Sequence, residues 1–437
     1  MELIRELGQL FVTVLLTGFG ISVVIPAMTD VTVESVCPGR DQCSLAIYLA
    51  GFQQAITGFG AMFVIPLIGS LSDKYGRKSL LTVSIALSIM PPAILAYERS
   101  TSFFYAYYVM KTLTAMLCDG ALLSLALAYT ADKIPADRRI SAFGIISGAF
   151  SASFLCGSFA ARFLPIDATF KVAMGASLLA TVYMRVFLEE SIPYEIDELS
   201  QPISKTEGEG DVDVPELSRR ALTTFKRVPS IKEVIRLLRS SSTFSRTAMV
   251  CFFNNLTLGW LQASLMYYLK DRFHSNKDQF ASLMIFFGAL GTISQMIVAS
   301  SLSAIIGDER LLSVALFATF TYSFVLSIAW SFWVIYASCA LFLLSFCAIP
   351  TTCSIASKQV GAHNQGKAQG CLFGIQSFAY AISPLIFNPL AALFLSEDAP
   401  FDFPGFSILC IGLNTLVAFV LSLTIKENPS ISSEEDH

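Results

Sequence analysis

Charged residues are scarce in this chain of 437 residues. Lys, Arg, Asp and Glu make up 14% of it, whereas a soluble domain usually contains about 25%. Residues 189–240 alone hold 11 acids and 8 bases, so the remaining chain is poorer still in charge. This scarcity excludes soluble domains and a disordered protein, because neither can keep so apolar a surface in water. The net charge of −4 also excludes nucleic acid as a partner, which would require a basic excess.

Groups that carry chemistry are also few. The three histidines, His274, His363 and His437, are scattered in predicted loops and form no metal site. No Ser/His/Asp or Cys/His constellation is visible, so we expect neither an enzyme nor a cofactor. Residues 361–368 imitate a phosphate-binding loop, but Ala368 replaces the Ser or Thr that would hold Mg²⁺, which argues against nucleotide binding.

Long apolar runs are plentiful. Hydrophobic residues make up 54% of the sequence and fall into twelve runs of about 19 residues or more, each long enough to cross the ~30 Å of a bilayer as a helix. Only Ser331 separates the ninth run from the tenth, and the flanking Trp330 and Trp333 suit a tight turn at the membrane interface. The runs cover residues 7–28, 45–68, 80–97, 103–131, 140–163, 170–188, 247–269, 279–306, 311–330, 332–357, 371–395 and 403–425.

Two short motifs recur along the chain. Segment 71–76, after span two, matches 302–307, after span eight, at an offset of 231 residues, and 134–148 matches 360–374 at an offset of 226. Two matches at nearly equal offsets argue for a duplicated unit of six helices. We therefore predict an all-α membrane protein whose twelve transmembrane helices form two six-helix bundles, with a substrate site at the midplane between them.

The distribution of Lys and Arg predicts the orientation. With the N-terminus inside, 21 of these residues fall on the cytoplasmic side and 7 outside, so we expect both termini to be cytoplasmic, in the plasma membrane or the vacuolar membrane. The first apolar run lacks a preceding basic segment, so we do not expect a cleavable signal. The predicted domains are residues 1–188 for the first bundle, 189–245 for a cytoplasmic central loop, 246–425 for the second bundle and 426–437 for a cytoplasmic tail.

The central loop divides into an acidic and a basic part. Residues 189–216 contain ten acids and one base without apolar periodicity, which is typical of disorder. Apolar residues then recur at helical spacing from Ile231 to Leu238, which predicts a basic amphipathic helix at about 219–239. This helix lies either on the inner membrane surface or as a strut beneath the second bundle, and an acidic-dileucine sorting signal is a further reading.

The turn between spans two and three has the sequence GSLSDKYGRK at residues 69–78. Glycine permits a tight turn, the aspartate can pair with a base or a helix N-terminus, and the two bases hold the loop inside. The segment resembles the signature loop of the major facilitator superfamily and fills each of its positions. These positions are Gly69, Asp73, Gly76, Arg77 and Lys78.

The resemblance extends over nearly the whole chain. The stretch QGKAQG at 365–370 is similar to tetracycline-resistance-type exporters, and the first 55 residues resemble the plant branch of the hippocampus-abundant-transcript-like carriers. This resemblance implies secondary active transport of a small-molecule or ion substrate by alternating access, coupled to protons. It also implies that Asp73 latches the cytoplasmic side by meeting the N-terminal end of span eleven. We expect a monomer in the lipid bilayer.

One departure from the family pattern and two other functions keep alternatives open. Ser158 stands where drug/proton antiporters of this type carry the proline of a Gly-Pro pair in span five, which leaves the direction of transport open. An uncoupled facilitator would show no dependence on pH. A transport-dead receptor or scaffold would keep the fold and signal through the central loop, so deletion of 200–216 would abolish its output.

Two charged residues fall clearly within a predicted span. Lys111 and Asp119 both lie in span four, where a charge costs about 3 kcal/mol or more, so they are functional candidates. Along a regular helix they are about 12 Å and about 80° apart, and we expect no direct salt bridge. Asp119 is the candidate proton carrier, and Lys111 would supply a counter-charge or bind an anionic substrate. Alternatively, Asp119 accepts hydrogen bonds from neighbouring helices while Lys111 snorkels outward.

Amide side chains within the spans outline a candidate cavity. A buried amide needs hydrogen-bond partners, so each either lines the cavity or joins two helices. Asn254 and Asn255, close to Trp260, form the best cluster. The candidates are Gln53, Gln54, Asn254, Asn255, Gln262, Gln295 and Gln376. Cys37 and Cys43 share a short loop predicted to lie outside, where they are candidates for a disulfide, while the other eight cysteines fall in apolar segments.

Overall fold

The computed structural model describes residues 2–36, 44–191, 236–239, 241–274, 277–361, 364–394 and 399–425. Within these residues all regular structure is helical and no strand occurs, as the apolar runs predict. The α-helices in chain order are α1 Glu2–Ser22, α2 Ile25–Val36, α3 Ser44–Tyr75, α4 Arg77–Ser88, α5 Met90–Tyr97, α6 Thr101–Cys118, α7 Ala121–Lys133, α8 Arg139–Ala161, α9 Ile166–Phe187, α10 Ser242–Phe273, α11 Lys277–Ile293, α12 Ala299–Ile306, α13 Asp308–Ser327, α14 Phe332–Ser345, α15 Ala348–Lys358, α16 Gln365–Phe394 and α17 Phe406–Ser422.

Each of the twelve apolar runs corresponds to helical structure. Ten helical segments among the described residues are long and apolar enough to cross a membrane. The two remaining runs are α10, of 32 residues, and α17, of 17 residues. Large apolar side chains such as Phe63 and Val186 are exposed on the outer faces, which is the pattern that lipid favours.

Several spans are interrupted. Span three changes helix at Ile89, just before Pro91 and Pro92. Span four ends its first helix at Cys118 and restarts at Ala121. Span ten breaks between α14 and α15, and a π-helical turn, Ser294–Val298, joins α11 to α12 in span eight. Helix breaks of this kind survive in a membrane protein where other helices or polar groups satisfy the freed backbone.

Helices α1–α9 form the first bundle and α10–α17 the second. One cluster of buried side chains joins the two on the side where the α3–α4 loop lies, hereafter the signature-loop side, and it includes Leu10, Ile65, Cys251 and Ala356. Helix α3 of the first bundle packs closely against α16 of the second over most of its length. The two bundles are therefore sealed together on the signature-loop side.

The central loop is described only at its two ends. Residues 236–239 are helical, and Leu237 and Leu238 pack against the buried cluster of the signature-loop side. This contact fits the strut interpretation for that end of the predicted amphipathic helix. The rest of the helix, the tail 426–437, and Cys37 and Cys43 with their predicted disulfide lie outside the described residues, and the domain boundaries stay a prediction.

Candidate functional site

The signature loop holds a fully buried guanidinium. Gly76, with a φ of 89°, makes the turn between α3 and α4 and places Arg77 at the start of α4. The Arg77 guanidinium lies 2.5 Å from the carboxylate of Asp73 and 3.0 Å from that of Asp132, and it donates to Ser72 Oγ at 2.5 Å. A buried cation is tolerated when opposite charges and hydrogen-bond acceptors surround it, and all of these acceptors are present here.

A further carboxylate caps α4. Glu190 Oε1 accepts from the backbone N–H groups of Arg77 at 2.7 Å and Lys78 at 3.1 Å, which are unpaired in any helix N-terminus. Neither Asp132 nor Glu190 was among the candidates from sequence. The signal available was modest, since each is an acid at the end of an apolar run, at spans four and six.

Asp73 also connects the two bundles. Its two carboxylate oxygens accept from the backbone N–H groups of Gly366 and Lys367, both at 2.9 Å. These groups belong to the first turn of α16, where the helix dipole favours a negative charge. The contact that the sequence predicted between Asp73 and the N-terminal end of span eleven is therefore present.

The second bundle contains an equivalent ion pair with the charges reversed. Gly307, with a φ of 84°, is followed by Asp308, and the offset of 231 relates these residues to Gly76 and Arg77. The offset of 226 relates Lys358 to Asp132, and its Nζ lies 2.7 Å from Asp308 Oδ2. Ser303 and Ser354 also donate to the Asp308 carboxylate. Each bundle thus balances a buried charge at the same point, but with the opposite sign.

A second contact crosses between the bundles on this side. Arg139, at the start of α8, donates through Nη1 to the carbonyl oxygen of Ser357 at 3.2 Å and to its Oγ at 3.1 Å. Ser357 lies in the last turn of α15, where unpaired carbonyls attract a cation. Arg139 also caps α7 by donating to the carbonyls of Ala131 and Ile134. Sequence analysis placed Arg139 only among the bases of a loop.

Lys111 and Asp119 form a direct salt bridge, so the expectation that they are too far apart was wrong. Lys111 Nζ lies 3.2 Å from Asp119 Oδ2 and 3.3 Å from Oδ1. The prediction assumed a regular helix, whereas α6 ends at Cys118. Asp119 has a ψ of 72° and Gly120 a φ of 108°, and this break changes the direction of the Asp119 side chain.

The break between α6 and α7 lies at the boundary between the bundles. A Cβ added to Gly120 would come within 2.7 Å of Ile65 Cδ1 in α3 and 3.4 Å of Ser377 Oγ in α16. The Asp119 side chain is 52% exposed and that of Lys111 is 30% exposed. The pair is therefore placed next to a second-bundle helix and is accessible from outside the protein core.

Three of the predicted amides meet in one small cavity. Asn254 and Asn255 of α10 and Gln376 of α16 line it together with Cys251 of α10 and Cys353 of α15. The enclosed part has room for about one water molecule, so a larger ligand requires the surrounding helices to move. The cavity lies directly beside the buried cluster that seals the signature-loop side, which contains both cysteines.

The other predicted amides lie elsewhere. Gln53 donates to Thr112 Oγ1 at 3.1 Å and so ties α3 to α6. Gln295 Oε1 accepts from Ser151 Oγ at 3.0 Å, which ties the π-helical turn of the second bundle to α8 of the first. Gln54 is half-buried in α3, and Gln262 lies in α10 with its side chain outside the described part of the chain. None of these side chains belongs to the described lining of the amide cavity.

Comparison with known sequences gives consistent relatives. The hippocampus abundant transcript 1 protein of Homo sapiens is 23% identical over 358 residues, which cover 79% of this chain and 66%, just under two thirds, of that protein. The class E tetracycline resistance protein of Escherichia coli is 22% identical over 387 residues, covering 88% of this chain and 87% of its own. Both groups are those that the sequence resembles.

Comparison with solved structures shows the same fold. The human organic anion transporter MFSD10 (TETRAN) superimposes with a TM-score of 0.77 at 18% identity, covering 97% of this chain and 100% of its own. The proton:xylose symporter XylE, bound to 6-bromo-6-deoxy-D-glucose, gives a TM-score of 0.71 at 16% identity, covering 99% and 98%. The predicted fold of two six-helix bundles is thus confirmed.

A family model also matches the chain directly. The model described as Major Facilitator Superfamily aligns with residues 10–384, which include the signature loop, the Lys111–Asp119 pair and the amide cavity. The match extends through both bundles as far as α16. This chain therefore belongs to the Major Facilitator Superfamily.

Proposed function

We propose that this protein is a secondary active transporter that moves a small solute by alternating access and couples this movement to protons. The observation that carries the proposal is the contact of Asp73 with the first turn of α16, together with the Lys111–Asp119 pair at the same bundle boundary. The contact closes one side of the molecule through groups that can separate without unfolding either bundle. Such a closure is what alternating access requires.

Asp119 is the proposed proton carrier. A carboxylate at a bundle boundary changes its surroundings when the bundles rock, and its affinity for a proton changes with them. Lys111 holds the carboxylate ionised in the closed arrangement, and separation of the pair would favour its protonation. The relatives support this proposal, because the names of XylE and MFSD10 describe a proton symporter and an organic anion transporter.

The orientation follows from the positive-inside rule. We propose that the signature-loop side faces the cytoplasm with both termini, so the structure is closed toward the cytoplasm. The substrate would then bind near the midplane from the opposite side. The plasma membrane and the vacuolar membrane both fit this arrangement.

The proposal can be tested by proton movement in sealed proteoliposomes. A pH-sensitive dye inside the vesicles would report proton movement as pools of small metabolites, drugs or metal ions are added to wild type and to Asp119→Asn. We expect one pool to produce a signal in the wild type and at least a tenfold smaller signal in Asp119→Asn, since an amide cannot carry the proton. Asp167→Asn is the matched control, because Asp167 pairs with Arg99 away from both the signature loop and the Lys111–Asp119 pair.

Three outcomes would contradict parts of the proposal. Equal signals in wild type and Asp119→Asn would exclude Asp119 as the carrier. Uptake of solute without any proton signal would favour an uncoupled facilitator. Silence of the wild type in every pool, together with loss of a cellular response when residues 200–216 are deleted, would favour a receptor.

A further inference from the structure

The amide cavity of the second bundle contains an unsatisfied hydrogen-bond acceptor. Asn255 is 2% exposed and lines the cavity, and its Oδ1 has no partner among the described residues. A buried polar atom without a partner costs about 1–3 kcal/mol. Such an atom in a native structure needs an explanation, and a ligand that completes its hydrogen bond is one.

The orientation of this amide follows from its neighbours. Asn255 Nδ2 lies 2.8 Å from the carbonyl oxygen of Cys251 and 3.5 Å from its Sγ. A carbonyl oxygen can only accept, so the nitrogen must face it, and the reversed amide would place two acceptors against each other. Cys251 therefore occupies the amide nitrogen, and only the acceptor remains for a ligand.

The walls of the cavity also select by charge. The described lining contains amides, a threonine, two thiols and apolar side chains, but no carboxylate and no basic residue. The Lys111–Asp119 pair is not part of this lining. An ammonium or carboxylate that entered the cavity would lose its hydration without gaining a counter-charge, which is strongly unfavourable. A neutral N–H or O–H donor satisfies Asn255 without that cost.

We propose that the amide cavity is a binding subsite for a neutral hydrogen-bond donor of the transported solute, an alcohol or a carboxamide, which donates to Asn255 Oδ1. This inference rests on the proposed function, since it names the class of solute that the carrier moves. Asn254 and Gln376 flank the same cavity and supply further amide groups. Because the enclosed space is small in the closed arrangement, the donor enters when α10, α15 and α16 move apart.

Uptake of a defined mixture into proteoliposomes tests the subsite. The mixture contains neutral donors (xylitol, myo-inositol and nicotinamide) and charged analogues (xylonate, glucosamine and nicotinate) at equal concentrations, and mass spectrometry measures the vesicle contents. We expect the wild type to accumulate a neutral member at least tenfold over its charged analogue. Asn255→Leu, which keeps the volume but removes the acceptor, should lower that uptake about tenfold.

The control variant is Asn414→Leu. Asn414 also donates to α10, at the Phe253 carbonyl and Thr257 Oγ1, but it lies outside the cavity lining, so its uptake should stay within about twofold of wild type. Preferred uptake of charged members, or equal uptake of the neutral member by wild type and Asn255→Leu, would overturn the subsite and leave the carrier function intact. A folded wild type that takes up no member of either set would overturn both proposals.

A second measurement applies if Asn255→Leu does not fold. Cys353 lines the cavity, and its modification by methyl methanethiosulfonate can be quantified in wild type by peptide mass spectrometry. Bound neutral solute should slow this modification several-fold, while the charged analogues should leave the rate unchanged. Equal rates with every solute would contradict binding in the cavity.

Discussion

At the scale of single residues, Asp73 serves two partners at once. It faces the buried guanidinium of Arg77 inside its own bundle and accepts two backbone N–H groups from the first turn of α16 in the other bundle. Asp132 gives Arg77 a second carboxylate, so the guanidinium keeps a counter-charge when Asp73 separates from α16. The contact with α16 can therefore open without stranding a buried cation.

Asp73→Asn is expected to keep the fold and weaken the closed arrangement. The amide oxygen can accept a hydrogen bond from α16, but the negative charge that favours the helix N-terminus is lost, at a cost of about 0.3–2 kcal/mol. Unequal stabilisation of the two arrangements makes the rate-limiting opening step differ from wild type, and we expect solute exchange in proteoliposomes to be slowed. Exchange at the wild-type rate would exclude a latching role for Asp73.

The individual residues differ in how well the sequence predicts them. Asp73, Gly76 and Arg77 stand within a few positions of one another, so their motif is visible in the sequence. Asp132 and Glu190 reach Arg77 from 55 and 113 residues away. A short motif contains no information on such distant partners, and only the packing of spans four and six against the loop brings them there.

At the scale of helices, α3 and α16 approach each other most closely through glycine. A Cβ on Gly69 would collide with the carbonyl oxygen of Gly366 and come within 3.1 Å of Gly370 Cα. The obstacles are backbone atoms, so they cannot rotate away. Small residues permit close packing of membrane helices where larger ones cannot fit.

Gly69→Ala is therefore expected to push α3 and α16 apart on the signature-loop side. The added methyl group should shift the population away from the closed arrangement, and cysteines placed on this side should react several-fold faster with a polar maleimide. Gly175→Ala in α9 is the matched control, because its added Cβ would have no neighbour within 4 Å. Unchanged reactivity in Gly69→Ala with the same rate as the control would contradict close packing as the seal.

The helices also show where pattern reading is insufficient. Apolar length predicted all twelve runs, and the tryptophan pair marked the turn between α13 and α14, where Trp330 and Trp333 are exposed and in contact. The breaks within spans were not predicted, because an apolar run has the same composition whether its helix is continuous or interrupted. Regular helix geometry therefore separated Lys111 from Asp119, whereas the break at Gly120 allows them to pair.

At the scale of the whole molecule, the internal repeat relates the two sides of the seal. The offset of 226 places Gln365 at the position of Arg139, and both cap the preceding helix of their own bundle: Gln365 donates to the carbonyls of Ser357 and Val360, as Arg139 does to those of Ala131 and Ile134. Only Arg139 also reaches the other bundle. The repeat, visible in the sequence, thus predicts the shared capping role but not the contact between bundles.

This comparison identifies a substitution that separates the two roles of Arg139. Arg139→Gln installs the residue that the second bundle uses at the equivalent position, so capping of α7 should persist. The two hydrogen bonds to Ser357 would be lost, and hydrogen bonds to charged groups are worth about 1.5–3 kcal/mol each. We therefore expect the equilibrium to shift by at least tenfold toward opening on the signature-loop side.

The shift should be visible as a distance distribution between two spin labels, one per bundle, at the exposed positions Tyr75 and Ile305. Arg139→Gln should enlarge a long-distance population, while its melting temperature stays within a few degrees of wild type because each bundle keeps its own caps. Gln365→Ala is the complementary variant, since its loss of capping should lower the melting temperature. A fall in stability for Arg139→Gln without any change in distance would mean that Arg139 supports only its own bundle, and Asp73 would then remain as the charged contact between the described halves.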